Sequence, residues 1–523
     1  MSGAAIREAA SGAVVRGAAG QPAGQAAIGA AVQDPGVAAD HGIATVTGAA
    51  PATALARSGA AVPVLVLGGS GFVAGEALRL LAGHPGLLVA GVVSDSQPGE
   101  PVATAFPHLA SAYPGVRFSA IEDLPRLIEL AAEVAGDGPA PGSRGGARVG
   151  AGGGQETGAT GGAGAGGAQE TGATGGAGAG GGQETGAEGA ANAGGGRRAD
   201  PTGGGRQADA AGRRREADAA GAGGGQVAVL CAAPHGAAAK LVDLLLAAAE
   251  RAGVRLRVVD LSADFRFAAA ADYERVYGHA HGAPDRLPRF RCALPEHADL
   301  AFAQDAALGP LGAIGTGHVG HPGCFPTAVL LAAVPLVRLG WVEPSLHVVA
   351  VTGSTGAGRT PSPSTHHPAR RSNLFAYNPL AHRHEPEMRA LASAAAGQPV
   401  DIHFVPQAGP FARGIYATLQ ARLLRPARAG GDAEQAAAVT ADLARFYAAA
   451  PFVDVIAEPP RLQDVVGTNR CRISVAVAGD RLVAFSAIDN LTKGAAGGGI
   501  QWLNLLLGLP ETAGLTQPGI GWL

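Results

Sequence analysis

The chain has 523 residues, of which 83 are glycine and 4% aromatic, so much of it cannot be packed core. A formal charge of -3 points to no polyanion-binding surface, so no nucleic-acid partner is expected. Cys231, Cys292, Cys324 and Cys471 lie far apart with no metal-ligating spacing. No apolar run reaches the roughly 18 residues of a membrane span, and no charged start followed by an apolar segment marks a secretory signal. A reduced, cytoplasmic protein without a metal is expected.

Residues 1–60 are Ala/Gly-rich without a sustained period and read as a disordered tail. Order begins at the apolar run Val62 to Leu67, of buried-strand type. Gly68-Gly69-Ser70-Gly71-Phe72-Val73-Ala74-Gly75 follows and opens an amphipathic segment, Glu76 to Ala82. Gly69-x-Gly71-x-x-Ala74 after a strand and before a helix fits the dinucleotide-binding turn, with backbone from Gly69 to Ala74 approaching a phosphate. A second strand, Leu87 to Val93, ends at Ser94-Asp95. An acidic residue about 20 positions beyond the glycines is where a ribose contact is expected, which makes Asp95 a candidate.

From 135 to 225 the pattern is lost. Gln155-Glu156-Thr157-Gly158-Ala159 recurs at Gln169 and Gln183, but the repeats carry no large apolar residue to bury. A disordered Gly/Ala-rich insertion is expected rather than a solenoid. Packed sequence resumes with the strand Val227 to Ala232, the turn Pro234-His235-Gly236, a helix over 237–252 and the strand Leu256 to Leu261. Strand–helix–strand alternation on both sides of the insertion predicts a parallel, doubly wound sheet in an α/β fold.

Gly320-His321-Pro322-Gly323-Cys324-Phe325-Pro326-Thr327 leads into the apolar run Ala328 to Leu339. Pro326 suits a first helical turn, so Cys324 falls at a helix N-terminus, where a thiolate is favoured. Such a residue is a nucleophile or a small buried hydrophobe. Beyond it come strands at 347–351, 402–405, 414–423, 471–477 and 482–487, and a closing helix over 499–507. This half predicts a mixed sheet in a separate α+β domain.

Seven motifs now stand in order: Gly-Gly-Ser-Gly-Phe-Val-Ala-Gly-Glu, Pro234-His235-Gly236, Asp260-Leu261-Ser262-Ala263-Asp264-Phe265-Arg266, Gly323-Cys324-Phe325-Pro326-Thr327, His382-Arg383-His384-x-Pro386-Glu387, Arg413-Gly414 and Asp489-Asn490-Leu491-x-Lys493-Gly494-Ala495-Ala496. Together they resemble the N-acetyl-γ-glutamyl-phosphate reductases, relatives of aspartate-semialdehyde dehydrogenase. The resemblance covers 62–134 and 226–518. It implies a Rossmann-type nucleotide-binding domain over 61–134 and 226–323, completed by 488–523, and a catalytic and dimerisation domain over 324–487. It also implies a homo-oligomer, a dimer or tetramer, acting on a small acyl phosphate.

The implied chemistry is attack by Cys324 on an acyl phosphate, loss of phosphate, and hydride reduction of the resulting thioester. His384 is the expected base, with His382 as the alternative and Glu387 to orient it. Ser354, Gly358 and Arg359 form a Gly-rich turn with a guanidinium, suited to phosphate, with Arg266 and Arg413 as further cationic candidates. Gly69, Ser70, Gly71, Phe72, Val73, Ala74, Asp95 and Lys493 are the expected cofactor contacts. The cofactor implied is NADP(H); Asp95 stands where Arg is usual in the family and would also admit NAD(H). His321 replaces an expected Asn, and Phe325 an expected Tyr. An aminoadipyl-phosphate reductase keeps the chemistry with another acyl chain, and a catalytically inactive nucleotide-binding protein is the third reading.

Overall fold

A computed structural model describes residues 61–136, 226–302, 317–424 and 431–521. The expected tail over 1–60 lies outside the described residues, as does the expected insertion apart from residues 135 and 136.

Two sheets organise the fold. The first alternates strand and helix: β1 (Val62–Leu67), α1 (Phe72–Leu81), β2 (Leu87–Val93), α2 (Leu124–Gly136), β3 (Gln226–Cys231), α3 (Ala238–Ala252) and β4 (Arg255–Asp260), with short β5 (Phe290–Cys292) and β6 (His318–Gly320). Its order is β2-β1-β3-β4-β6-β5, and every pairing is parallel. Such strands are covered on both faces and therefore read as continuous apolar runs: Val64 to Leu67 and Val227 to Cys231 are all fully buried. The last helix, α7 (Gly497–Leu506), packs with α1 on one face through Leu78, Ile500, Trp502 and Leu503. On the other face, α2 and α3 supply Leu127, Ile128, Leu245 and Leu246. β5 and β6 have only three residues each, too few to show a period in sequence.

The second sheet is mixed. After α4 (Cys324–Arg338) come β7 (Ser345–Thr352), β8 (Phe375–Ala376), α5 (His384–Ala396), β9 (Asp401–Ala408), β10 (Ile415–Arg422), α6 (Gly431–Phe446), β11 (Val453–Val455), β12 (Cys471–Ala478) and β13 (Arg481–Ile488). The order is β11-β12-β13-β10-β7-β9-β8, with β7–β9 and β11–β12 parallel and the other pairings antiparallel. Alternation in β7 and β9 turns Leu346, Val348, Ile402 and Phe404 inward onto α4. α4 is apolar all round, and 13 of its 15 residues are buried.

The two sheets meet at an ionic cluster beside the glycine-rich turn. Arg413 donates to both oxygens of Glu76 on α1 (2.9 and 3.1 Å) and to Thr492 Oγ1 (3.0 Å), and pairs with Asp489 at 2.9 Å. Arg79 donates to the same Glu76 carboxylate at 2.8 and 3.1 Å. Burial alone would raise the Glu76 pKa, but hydrogen bonds from Arg79 and Arg413 outweigh it and hold it at about 2. At about 1.36 kcal/mol per pKa unit, a drop from the ordinary 4.5 to about 2 stabilises the fold by roughly 3 kcal/mol. Because the folded pKa lies below the unfolded one, that stability is present above about pH 4.5 and fades as pH falls toward 2. Glu76→Gln should therefore cost about 3 kcal/mol in urea unfolding at pH 7, with the gap to wild type closing at acid pH. An equal penalty at pH 7 and pH 3 would show that the charge is not the cause.

Candidate active site

β6 delivers the chain to Gly320, His321, Pro322 and Gly323, and Cys324 is the first residue of α4. Close approach explains the glycines around it. A Cβ on Gly323 would lie 2.6 Å from His384 Nε2 and 2.9 Å from Arg266 Nη1, and one on Gly494 would lie 2.8 Å from Cys324 Cβ. The cysteine is thus enclosed by α5, by the segment after β4 and by the turn after β13.

His384 and Glu387 stand one turn apart at the start of α5, facing the same side. Glu387 does not orient His384 directly. Its Oε1 accepts the Gly323 N–H at 2.7 Å, and its Oε2 accepts Arg266 Nη1 at 3.2 Å. Arg266 also donates to the carbonyls of His321 (3.1 Å) and Leu261 (3.1 Å), and its Nη1 lies 3.4 Å from His384 Nε2. A guanidinium can only donate, so His384 Nε2 is the acceptor and carries no proton. His321 serves here through its carbonyl, a role any residue type can fill. Burial, then Lys493 and Arg266, hold its ring at about 3.

His382 is placed differently. Its Nδ1 accepts the His384 backbone N–H at 3.2 Å, and its ring packs edge-on against Phe325, Tyr377 and Phe404. Burial, followed by Arg383, lowers its pKa to about 4. The His384 pKa lies well below the ordinary value, chiefly from burial and then from Arg266. Burial pushes the Cys324 thiol up, against the pull of Arg266 and the Phe325 N–H. Burial likewise raises Glu387, against Arg266 and the Gly323 N–H. The resting pair is therefore a neutral thiol beside a neutral imidazole.

The glycine-rich turn sits at the C-terminal end of β1. Gly68 has φ +75°, and a Cβ on Gly69 would lie 2.6 Å from Val92 Cγ1, so both need glycine. The first intrahelical bond of α1 runs from Gly75 N to Gly71 O, which leaves the N–H groups of Phe72, Val73 and Ala74 without helical acceptors. Open space surrounds Gly71, whose Cβ would find nothing nearer than 3.6 Å. This turn fits a dinucleotide pyrophosphate. Beside it the hydroxyls of Ser70, Ser94 and Ser96 lie 3.1 to 3.4 Å apart, and Asp95 is exposed between them.

The remaining expected site residues lie apart from the cysteine. Arg359 donates to the carbonyls of Ser70 (3.0 Å) and Ala105 (3.1 Å), and stands 5.5 Å over the Phe106 ring, so it docks on the glycine-rich turn. Ser354 opens a short 3-10 turn, and Gly358 (φ +87°) ends it. Arg413 is engaged by Glu76 and Asp489. Lys493 is fully buried, paired with Glu296 and donating to Gln501 at 2.7 Å, and it does not open on a crevice. Among the described residues no group of three metal-ligating side chains occurs, and no helix is long and apolar enough to cross a membrane.

Residues 324–490 match the family model for the semialdehyde dehydrogenase dimerisation domain. The N-acetyl-gamma-glutamyl-phosphate reductase of Methanopyrus kandleri is 41% identical over 296 residues, 56% of this chain and 78% of that protein. The chain belongs to the N-acetyl-γ-glutamyl-phosphate reductase family. The reductase of Streptomyces avermitilis is 38% identical over 57% of this chain and 80% of its own. Aspartate semialdehyde dehydrogenase II of Vibrio cholerae, complexed with ASA, aligns with a TM-score of 0.49 at 13% identity, over 86% of this chain and 98% of that one. Two residues of this family member went unnoticed as site candidates in the sequence, His235 and Arg383. Each lies inside a motif of the resemblance, Pro234-His235-Gly236 and His382-Arg383-His384, for which spacing alone assigns no role.

Proposed function

We propose that this chain reduces N-acetyl-γ-glutamyl phosphate to N-acetylglutamate semialdehyde with release of phosphate, through a thioester on Cys324. The observation that carries the reading is the placement of Cys324 at the start of α4, with unprotonated His384 Nε2 against Gly323. His384 accepts the thiol proton. The sulfur forms a bond to the acyl carbon as the bond to the phosphate oxygen breaks. NADPH, when bound, supplies the hydride that reduces the acyl carbon. His384 then returns its proton to the departing sulfur. Arg266 and Glu387 position this pair: one holds His384 Nε2, the other the Gly323 N–H.

The N–H groups of Phe72, Val73 and Ala74 and the Ser70 hydroxyl would hold the dinucleotide. Residues 61–134 and 226–323 with 488–523 form the nucleotide-binding domain, and 324–487 the catalytic one. The stretch matched by the dimerisation-domain model mediates self-association. Phosphate-dependent oxidation of N-acetylglutamate semialdehyde with NADP+, and a mass increase on Cys324 from the acyl phosphate without cofactor, test the reading. Turnover independent of phosphate would overturn it.

Asp95 sets the cofactor preference. A carboxylate at the end of β2 suits a free ribose 2′-OH and repels a 2′-phosphate. Exposure reduces the repulsion to about 1 kcal/mol, several-fold in affinity. Asp95→Arg should tighten NADPH binding about tenfold in fluorescence titration and leave NADH within about twofold. Equal changes for both cofactors would place Asp95 away from the ribose.

A further inference from the structure

The cations first expected to bind the substrate's anionic groups are engaged elsewhere. Arg266 is buried and bonded through Nε, Nη1 and Nη2. Arg413 holds Glu76 and Asp489, and Arg359 holds two main-chain carbonyls at the glycine-rich turn. An acyl phosphate bearing an α-carboxylate nevertheless needs a guanidinium or N–H donors near the cysteine.

Arg383 meets that need. It precedes α5, between His382 and His384, whose rings lie 5.7 and 6.0 Å from the ring of Phe325, the neighbour of Cys324. The two histidines are buried, whereas Arg383 is exposed and has no hydrogen-bond or ion-pair partner among the described residues. Its charge reaches groups from both sheets' surroundings: His235 and Tyr277 on one side, Tyr377, His382 and His384 on the other. Arg383 is thus the exposed cation between two buried histidines that both pack on Phe325, next to Cys324.

His235 adds a second donor, held against the segment whose Arg266 reaches His384. Its Nδ1 accepts the Ala263 N–H at 2.8 Å, so the proton of the neutral ring is on Nε2. Burial of the ring, then Arg266 and Arg383, hold its pKa at about 3. Over the working range it is a fixed N–H donor and not an acid or base.

We propose that Arg383, with the Nε2–H of His235, binds an oxyanion group of the substrate, its phosphate or its carboxylate. A planar guanidinium can hold either with two parallel bonds. The proposal rests on the reaction assigned above, and its test keeps the two apart.

Arg383→Gln, Arg383→Lys and His235→Gln should be compared with wild type in semialdehyde oxidation, with KM measured separately for phosphate and for semialdehyde. Arg383→Gln is expected to raise one KM about 10- to 100-fold with kcat within about fivefold, Arg383→Lys to recover part of the loss, and His235→Gln to raise the same KM by less. A rise for phosphate assigns the phosphate group; a rise for semialdehyde assigns the carboxylate. Independently of turnover, inorganic phosphate or N-acetylglutamate should protect Cys324 from iodoacetamide in wild type and about tenfold less well in Arg383→Gln. If wild type fails to oxidise the semialdehyde, the assigned reaction falls, and the protection experiment still reads the anion site. If protection and both KM values move less than twofold in Arg383→Gln, the proposal is overturned.

Discussion

Cys324→Ser is expected to lower kcat by roughly 10⁴-fold or more. The site makes the substitution especially costly. Burial already pushes the Cys324 thiol up, and only Arg266 and main-chain N–H groups pull it back. A serine hydroxyl ionises far less readily, so the same donors would leave it un-ionised beside a histidine whose own pKa has been driven down. The protein should fold normally, because sulfur and oxygen differ little in size at the start of a helix. Single-turnover kinetics with a matched melting curve would separate chemistry from stability. Retention of more than about a hundredth of wild-type kcat would sink the covalent route.

His384→Gln is expected to cost about 10²- to 10⁴-fold in kcat, the usual range for a lost proton acceptor. Glutamine keeps a carbonyl that can accept from Arg266 and so preserves the local packing, but it cannot take the thiol proton. His382→Gln should cost much less in kcat, since His382 Nδ1 bonds a backbone N–H and its ring packs among aromatics. The sign of the pH dependence follows from the lowered His384 pKa. Protonation blocks the acceptor, so activity persists as pH falls through about 6.5, where a solvated histidine would titrate, and is lost only well below it. A kcat/KM profile with its acid limb centred near pH 6.5 would show an open, hydrated histidine instead. Equal losses from the two histidine substitutions would remove the distinction between them.

Much of the architecture was legible in the chain. Strands β1 and β2 coincide with their expected spans, and β3 and β4 are one residue off at each end, because continuous apolar runs leave little ambiguity. The start of α4 could be inferred from Pro326 and the run after it. What sequence could not give is pairing across distance. Lys493 was expected at the cofactor, whereas Glu296, 197 positions away, meets it in the core. Arg413 and Glu76 are 337 positions apart, so nothing local marked that arginine as structural. The two histidines of the His-Arg-His motif could not be ranked, since only the fold shows which one meets Arg266 and Gly323. Arg383 is the converse case: it has no partner among the described residues, so no pairing marks it.

The parallel register of the first sheet has a practical consequence for building on this protein. Every strand that feeds the site does so from its C-terminal end: Gly69 after β1, His235 after β3, Ser262 after β4 and His321 after β6. α2 runs back against these strands, so the chain departs at Gly136 and re-enters at Gln226 on the opposite rim. A fluorophore or affinity handle attached at Gln226, the first residue of β3, would be anchored on the far rim from Cys324. Surface immobilisation through Gln226 should leave the approach to Cys324 undisturbed, which makes that rim the natural attachment point for a biosensor.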